Sequence, residues 1–464
     1  MEPLITEKRI HLIGVKGAGM ASLAEIYVSQ GTRVTGSDTS EKFFTDEILS
    51  RLGVVFVESF SPENIPKDVE RIVYSTAYRP ETNEELRVAL ERKDIPVMSY
   101  PEAVGELTRK RLAILVSGTH GKTTTTALLA ETLRAIGLDP LALVGSCPIG
   151  WDGGALVGSG QYFVLEADEY QNKFQYYEPW GGILTSVDWD HPDFFPDENA
   201  YRETFRTMIR RIPPQGILAY CGDSADVASI ASVCRGRTLS YGFLESNDVR
   251  VTSYQPMEHG EYRQEFQLSV HGEDIGHFQL RLAGWHNALN AAAVVALSIL
   301  LGVQVDDAFK KALGNFRGTA RRFEYVGTSH GALLYDDYAH HPEEIRATLH
   351  AFRELFPKRN IIAVFHPHTF SRTKALLEPF AQSFDDADVV VVLDIYGSAR
   401  EKQGGVSAQD LVALINRYGG GNKARHIPSL AEVALDLSEK IGENDLVVTL
   451  GAGNVWEVGK KLMS

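Results

Sequence analysis

Short apolar runs, each closed by glycine, serine or an acid and followed by a stretch of helical period, recur along almost the whole chain. Residues 10–14 read as a buried strand, 20–30 as a helix, 33–36 and 71–75 as further strands. Residues 112–134, LAILVSGTHGKTTTTALLAETLR, read as strand, glycine turn and amphipathic helix. Strands follow at 161–166 and 182–187. Between 248 and 282 the period changes to two: VRVTSYQ and RQEFQLSV alternate, with HGEY and HGED as turn signals, which predicts a small antiparallel sheet inserted at a domain edge. GWHNALNAAAVVALSILLG is a long helix. After GNFRGTARRFE, strands at 333–335, 360–365, 388–393 and 445–450 again alternate with helices. Strand–helix alternation means parallel or mostly parallel sheets. No internal repeat or low-complexity segment interrupts the pattern.

Length and composition support this picture. At 464 residues, two or three domains are expected, and 44% hydrophobic residues supply several cores. The pattern divides the chain into 1–107, 108–316 and 317–464. A net charge of −15 argues against nucleic acid or an anionic membrane as the main partner, so anionic ligands must be held by local devices. Three cysteines, Cys147, Cys221 and Cys234, with no CxxC pattern read as free thiols of a reducing compartment. The N-terminus lacks a signal peptide's apolar region and no apolar run reaches membrane length, so a cytoplasmic protein without membrane insertion is expected.

The chemistry centres on GTHGKTTTT. Gly118 and Gly121 allow the tight turn that points backbone N–H groups at an anion, and the helix N-terminus adds partial positive charge. Lys122 is expected to face solvent until it meets β- and γ-phosphates, and the Thr123 hydroxyl to ligate Mg²⁺. Val116 stands where a standard P-loop has glycine. Glu166 and His191 follow apolar strands expected to flank this loop, so both fall beside it at the carboxyl edge of the sheet. Near the start, Gly14, Gly17 and Gly19 in GVKGAGM, with Ser37-Asp38 ending the second strand, give a dinucleotide-fold arrangement with GxxGxG spacing instead of GxGxxG. His340, His341, His366 and His368 lack the carboxylate or cysteine spacing of a zinc site.

GTHGKTTTT, GVKGAGM, STAYRPETNEEL, EADE, GWHN, DDYAHHP, HPHTFSRT and LGAGN together resemble the Mur ligases, the ATP-dependent amide-forming enzymes of peptidoglycan precursor synthesis, over essentially the whole chain. The resemblance implies three α/β domains: a Rossmann-like domain for a UDP-sugar, a central P-loop ATPase-like parallel sheet, and a Rossmann-like C-terminal domain. It implies UDP-N-acetylmuramate, L-alanine and ATP as substrates, two Mg²⁺ ions, and an acyl-phosphate intermediate. The UDP-sugar falls to Gly17, Ala18, Gly19, Met20, Ser37, Asp38, Ser75 and Thr76. ATP falls to Gly118, Thr119, His120, Gly121, Lys122, Thr123 and Thr124, with His286, Asn287, Arg322, Asp337 and Tyr338 closing on it. Thr123, Glu166 and His191 are the implied metal ligands. Tyr338, His340, His368 and Arg372 are implied for the amino acid, with Lys122, His340 and Arg372 carrying the catalysis; Arg321 matches the motif as well. Family members usually have glycine where this chain has Lys16, which is expected either to add a charge for the diphosphate or to point to solvent. Thr369, where the L-alanine branch usually has arginine, leaves Arg372 as the amino acid's carboxylate clamp, with Lys173 or Lys374 as helpers. Tyr170 is closer to the murein tripeptide branch, and HPHTFSRT to the alanine branch. A nicotinamide dehydrogenase built on GVKGAGM leaves the phosphate loop unexplained; a nucleotide-binding regulator without turnover is the remaining alternative.

Overall fold

The computed structural model describes residues 4–192, 194–257, 261, 263–397 and 404–463. It contains three sheets. The first is wholly parallel, in the order Val55–Val57, Arg33–Ser37, Arg9–Ile13, Arg71–Tyr74, Val97–Ser99. Strand order reverses beside Arg9–Ile13, so the glycine turn after it and the turn at Ser75 share one crevice, where open α/β sheets bind ligands.

The second sheet has ten strands. Leu112–Ser117 lies at its centre, flanked in parallel by Tyr162–Glu166 and Gly181–Leu184. These strands are apolar throughout because helices cover both faces. The alternating segment forms antiparallel strands Val249–Pro256, Gln264–Val270 and Glu273–Leu280, with Phe266 stacked on its cross-strand partner Phe278. They are the antiparallel insertion that the pattern predicts, and they sit at the edge of the central sheet. Tyr241 and Gly242 of Arg237–Gly242 pair in parallel with Val249 and Arg250, so the antiparallel strands extend the central sheet. A free edge presents unpaired backbone groups, and this pairing satisfies part of one. The HGEY turn lies outside the described residues except for Glu261.

The third sheet runs Glu324–Ser329, Ala332–Asp337, Asp445–Leu450, Asn360–Phe365, Val389–Val392, Ala424–His426 and is parallel except for its first strand. One apolar core with members from Leu4 to Phe316 joins the first two sheets, and a smaller one, Ile13, Val69, Ile72, Leu86 and Ala89, packs helix Glu84–Glu91 on the first sheet. The third sheet carries separate cores on its two faces. Among the described residues no helix is long and apolar enough to cross a membrane.

Candidate active site

Between strand Leu112–Ser117 and helix Lys122–Ala135 the backbone passes through Gly118 at φ +133° and Gly121 at φ +77°, conformations that L side chains rarely adopt. A Cβ at Gly118 would lie 2.2 Å from Thr185 Oγ1, and one at Gly121 would lie 2.7 Å from Asn290 Oδ1. Both glycines are therefore needed for space as well as for φ. The loop is braced from the neighbouring strand: the His120 N–H donates to Ser186 Oγ (2.9 Å), and the Thr119 hydroxyl donates to the Asp188 carbonyl (2.7 Å).

Lys122 does not face solvent. Its Nζ donates to the Gly118 and Thr119 carbonyls (2.5 and 3.1 Å) and to Glu169 Oε2 (3.3 Å). Burial opposes its charge, but Glu169, Asp168, Glu166 and Asp190 outweigh it and raise its pKa. A cation folded back on the loop it serves replaces, with carbonyls and a carboxylate, the phosphate oxygens it is suited to hold.

The loop opens onto a cavity of about 720 Å³ lined from both sides: His120, Gly121, Thr123 and Thr124, with His286, Asn287 and Asn290, from the central unit, and Arg322, Asp337 and Glu344 from the C-terminal one. That volume suits a nucleotide-sized ligand. Glu344 is the junction's hub. It meets the His120 Nδ1 (3.4 Å), accepts the His340 N–H (3.1 Å) and lies 3.9 Å from Arg322. Burial pushes its carboxyl up, yet the charged His120 and Arg322 hold it well below the usual range. His120 also meets Asp188 at 3.3 Å; burial pulls its pKa down, but the two carboxylates lift it to about 9. His340 is the opposite case, where burial lowers the pKa to about 3 despite Glu344. Its Nδ1 lies 3.0 Å from the Tyr338 carbonyl, so a neutral ring donating there keeps Nε2 as an acceptor. Asp337, raised by burial to about 6, accepts the Phe323 and Ala339 N–H groups.

Arg372 forms a bidentate pair with Asp190: Nε to Oδ1 at 3.1 Å and a terminal nitrogen to Oδ2 at 3.2 Å. The two come from different units and both are 6% exposed. Asp190, next to the candidate His191, and Glu344, just beyond DDYAHHP, are site residues that the sequence motifs do not single out. The bidentate edge of Arg372 has a protein carboxylate as its partner. Thr369 caps the short helix Phe370–Ala375, accepting the Arg372 N–H. Arg321 spans the LGAGN loop, donating to Asp336 (2.8 Å) and to the carbonyls of Gly451 and Gly453 (2.7 and 2.9 Å). Arg321 and Arg322 flank the Tyr338 ring at 5.1 and 5.2 Å. His368 stacks on Tyr396. Lys173 pairs with Asp168.

Two donor groups flank Lys122. The Thr123 hydroxyl donates to Glu166 Oε1 (2.7 Å), whose other oxygen accepts the Gly145 N–H (2.6 Å). Asp168, Glu169 and His191 bring one ligand atom each within 4.8 Å of one another. Hydroxyl and carboxylate oxygens are the donors Mg²⁺ prefers, so Thr123 and Glu166 fit that ion. His191, at φ +56°, packs its ring 4.7 Å from that of Tyr170 at a tilt of 36° and lies 3.8 Å from Glu169.

In the N-terminal crevice, Gly17 caps helix Ala18–Ser29, whose first turn holds Gly19 and Met20. A Cβ on Gly19 would strike the Tyr100 ring. Ser75 and Thr76 follow strand Arg71–Tyr74 in the adjacent turn. The Ser37 hydroxyl donates to Glu85 (2.7 Å), and Asp38 accepts the Lys16 N–H and the Tyr78 hydroxyl (2.7 Å each). Lys16 meets neither expectation. Its side chain is buried, and Nζ donates to the Thr39 and Glu41 carbonyls and to Glu58, each at 2.9 Å. A buried ammonium needs partners, and the loop after the second strand wraps around it to supply them.

A glycine loop between strand and helix, facing a cleft between two α/β units, together with a glycine turn at a Rossmann-type switch point in the first sheet, is the architecture of a nucleotide-using enzyme. The chain belongs to the Mur ligase family. The Mur ligase family catalytic domain matches residues 9–112, the Mur ligase middle domain 116–298, and the Mur ligase glutamate ligase domain 321–453. The chain is 41% identical to the UDP-N-acetylmuramate--L-alanine ligase of Desulfitobacterium hafniense, covering 98% of this chain and 99% of that one. It is 37% identical to the enzyme of that name from Treponema pallidum, over 98% and 96%. The crystal structure of UDP-N-acetylmuramate-alanine ligase from Thermotoga maritima superposes with a TM-score of 0.83 at 25% identity, covering 99% and 98%.

Proposed function

We propose that the chain joins L-alanine to UDP-N-acetylmuramate at the expense of ATP, in a cytoplasmic setting. The observation that carries this reading is the loop Gly118–Thr124 opening onto a cavity walled by two units, in a chain whose relatives bear that activity's name. Residues 108–316 bind ATP, 1–107 the UDP-sugar and 317–464 the amino acid. Lys122 leaves its carbonyls for the phosphates and neutralises charge as the muramyl carboxylate takes the γ-phosphoryl group, forming an acyl phosphate and ADP; positioning and charge do most of this work. The alanine amine then adds to the acyl carbon and phosphate departs. His340 Nε2, an acceptor without charge, orients an amine N–H, and Arg372 takes the alanine carboxylate with the guanidinium nitrogen that Asp190 leaves open. Thr123 and Glu166 would hold Mg²⁺, with His191 as the further ligand beside Asp168 and Glu169, and the ion would neutralise phosphate charge. Closure of the cavity keeps water from the acyl phosphate.

The test is phosphate release from ATP by the full chain. Release should require UDP-N-acetylmuramate and an amino acid together, with L-alanine preferred over glycine, serine and a tripeptide. Lys122→Ala should lower the rate by at least two decades, roughly 3 kcal/mol, in protein that circular dichroism shows to be folded. Release without the amino acid, or near-normal turnover in Lys122→Ala, overturns the reading.

A further inference from the structure

We infer that Tyr201 is a positioning residue for phosphate capture: its phenol keeps Glu169 in place when Lys122 leaves that carboxylate for the phosphates. This rests on the reading that ATP occupies the cavity. Tyr201 belongs to the apolar stripe of helix Glu198–Arg210, with Phe205, Met208 and Ile209. Its ring packs edge-on against Phe195 and Phe205, with centroids 5.1 Å away in each case. A phenylalanine would fill that volume equally well, so packing does not call for the hydroxyl.

The hydroxyl closes a ring of contacts. Tyr201 donates to Glu169 Oε1 at 2.8 Å, and Glu169 Oε2 lies 3.3 Å from Lys122 Nζ. Lys122 in turn donates to the Thr119 carbonyl (3.1 Å), and the Thr119 hydroxyl meets the Tyr201 oxygen at 2.8 Å. Tyr201 is fully buried and Glu169 is 1% exposed. Burial and the Glu169 charge raise the phenol's pKa well above its usual value, so the phenol keeps its one proton and gives it to the carboxylate. Toward Thr119 its oxygen can then only accept, and the Thr119 proton is shared between it and the Asp188 carbonyl, 2.7 Å away. When Lys122 turns to phosphate, Glu169 is left as a buried charge without its ammonium, a costly state. A carboxylate free to move would follow the ammonium and compete with phosphate for it. The phenol removes that competition, because it gives Glu169 a fixed donor and ties it to the loop through Thr119.

The experiment measures ATP binding to the full chain by calorimetry in EDTA, where no divalent ion can take over Glu169 and no turnover occurs. It compares wild type, Tyr201→Phe, Glu169→Gln and the double variant. Tyr201→Phe should weaken ATP binding about tenfold, the worth of a hydrogen bond to a charged group. In the Glu169→Gln background no carboxylate competes for Lys122, and there the same substitution should change the ATP Kd by less than about twofold. Glu169→Gln alone should bind ATP at least as tightly as wild type. A merely structural phenol would weaken binding equally in both backgrounds or in neither. Equal losses in both, wild-type binding by folded Tyr201→Phe, or weaker binding by Glu169→Gln overturns the inference. So does a Tyr201→Phe chain that circular dichroism shows to be unfolded, because the hydroxyl is then structural. If wild type itself binds no ATP, it is the reading of the cavity that fails, and the inference falls with it before any variant is made.

Discussion

The two junctions between the three units are built from opposite materials. The N-terminal and central units share one apolar core, with members from Leu4 to Phe316. The central and C-terminal units meet around a cavity, joined by Asp190–Arg372, by His120–Glu344 and by Tyr254 donating to Glu354 at 2.9 Å. The apolar cluster there is small, Ala283 with Ala351 and Leu355. Apolar contact is lost only by exposing area to water, whereas water can replace ionic and hydrogen-bonded partners. The first junction is thus the fixed frame and the second the one suited to part and close around substrates.

The largest break of this contrast is Asp190→Ala. It strands the buried Arg372 guanidinium without a partner, which costs about 3–5 kcal/mol. Hydrogen exchange should speed up in residues 185–191 and 338–345, facing one another across the second junction, and stay unchanged in the helix Ala18–Ser29 of the first. Equal loosening of both junctions would refute the division.

The first junction carries an exposed ion pair at its rim, Arg51 with Asp152 at 3.5 Å, and one buried carboxyl. Glu25 is 7% exposed; burial lifts its pKa to about 7, against the N–H groups of Ala155 and Gly154, which favour the carboxylate. The native state then binds more protons than the unfolded chain between pH 4.5 and about 7, so stability falls as pH rises through that window, by up to roughly 3 kcal/mol. Glu25→Gln should match wild type at pH 5 and exceed it at pH 8 in thermal or urea melts. A variant less stable at pH 8 would mean that the charge is needed there.

How much of this was open to reading from the chain differs by kind. The strands at 112, 360 and 445 and the strand–turn–helix around Gly118 and Gly121 are local patterns, and the structure bears them out. The continuation of the antiparallel strands into the central sheet depends on which edge they reach, which period-two alternation does not encode. Asp190 and Arg372 are 182 positions apart, and no spacing rule links them; an acid in a loop reads as solvated until its partner is known. Lys16 misled for the same reason, because its partners Glu41 and Glu58 come from separate turns of the fold.

His120 gives a smaller effect, on the second junction alone. Its raised pKa of about 9 means that its contribution is complete below pH 6.5 and is lost as pH rises through about 9. Its Asp188 partner is 53% exposed, so solvent screens that contact. Sedimentation of wild type should show a more extended particle at pH 10 than at pH 7.5, with the change reduced in His120→Gln. An identical pH response in the variant would exclude His120 as the source.

The finest distinction lies within the closed site, between two donor groups on the same side of the second junction. Glu166 is hydrogen-bonded to Thr123, and His191 is grouped with Asp168 and Glu169, yet Glu166, Asp168, Glu169 and Asp190 all act on the one ammonium of Lys122. If a single Mg²⁺ draws on both Glu166 and His191, each substitution weakens the same ion, and the second has less left to remove. Glu166→Gln and His191→Ala should each raise the Mg²⁺ needed for half-maximal rate. The double variant should fall short of the summed losses by about 1 kcal/mol, within the range of contacting groups. Thr123→Val combined with Glu166→Gln serves as the internal standard, because those two side chains touch. Strict additivity for Glu166 and His191, beside clear coupling for Thr123 and Glu166, would divide the metal ligands into two independent sites and leave His191 to Asp168 and Glu169.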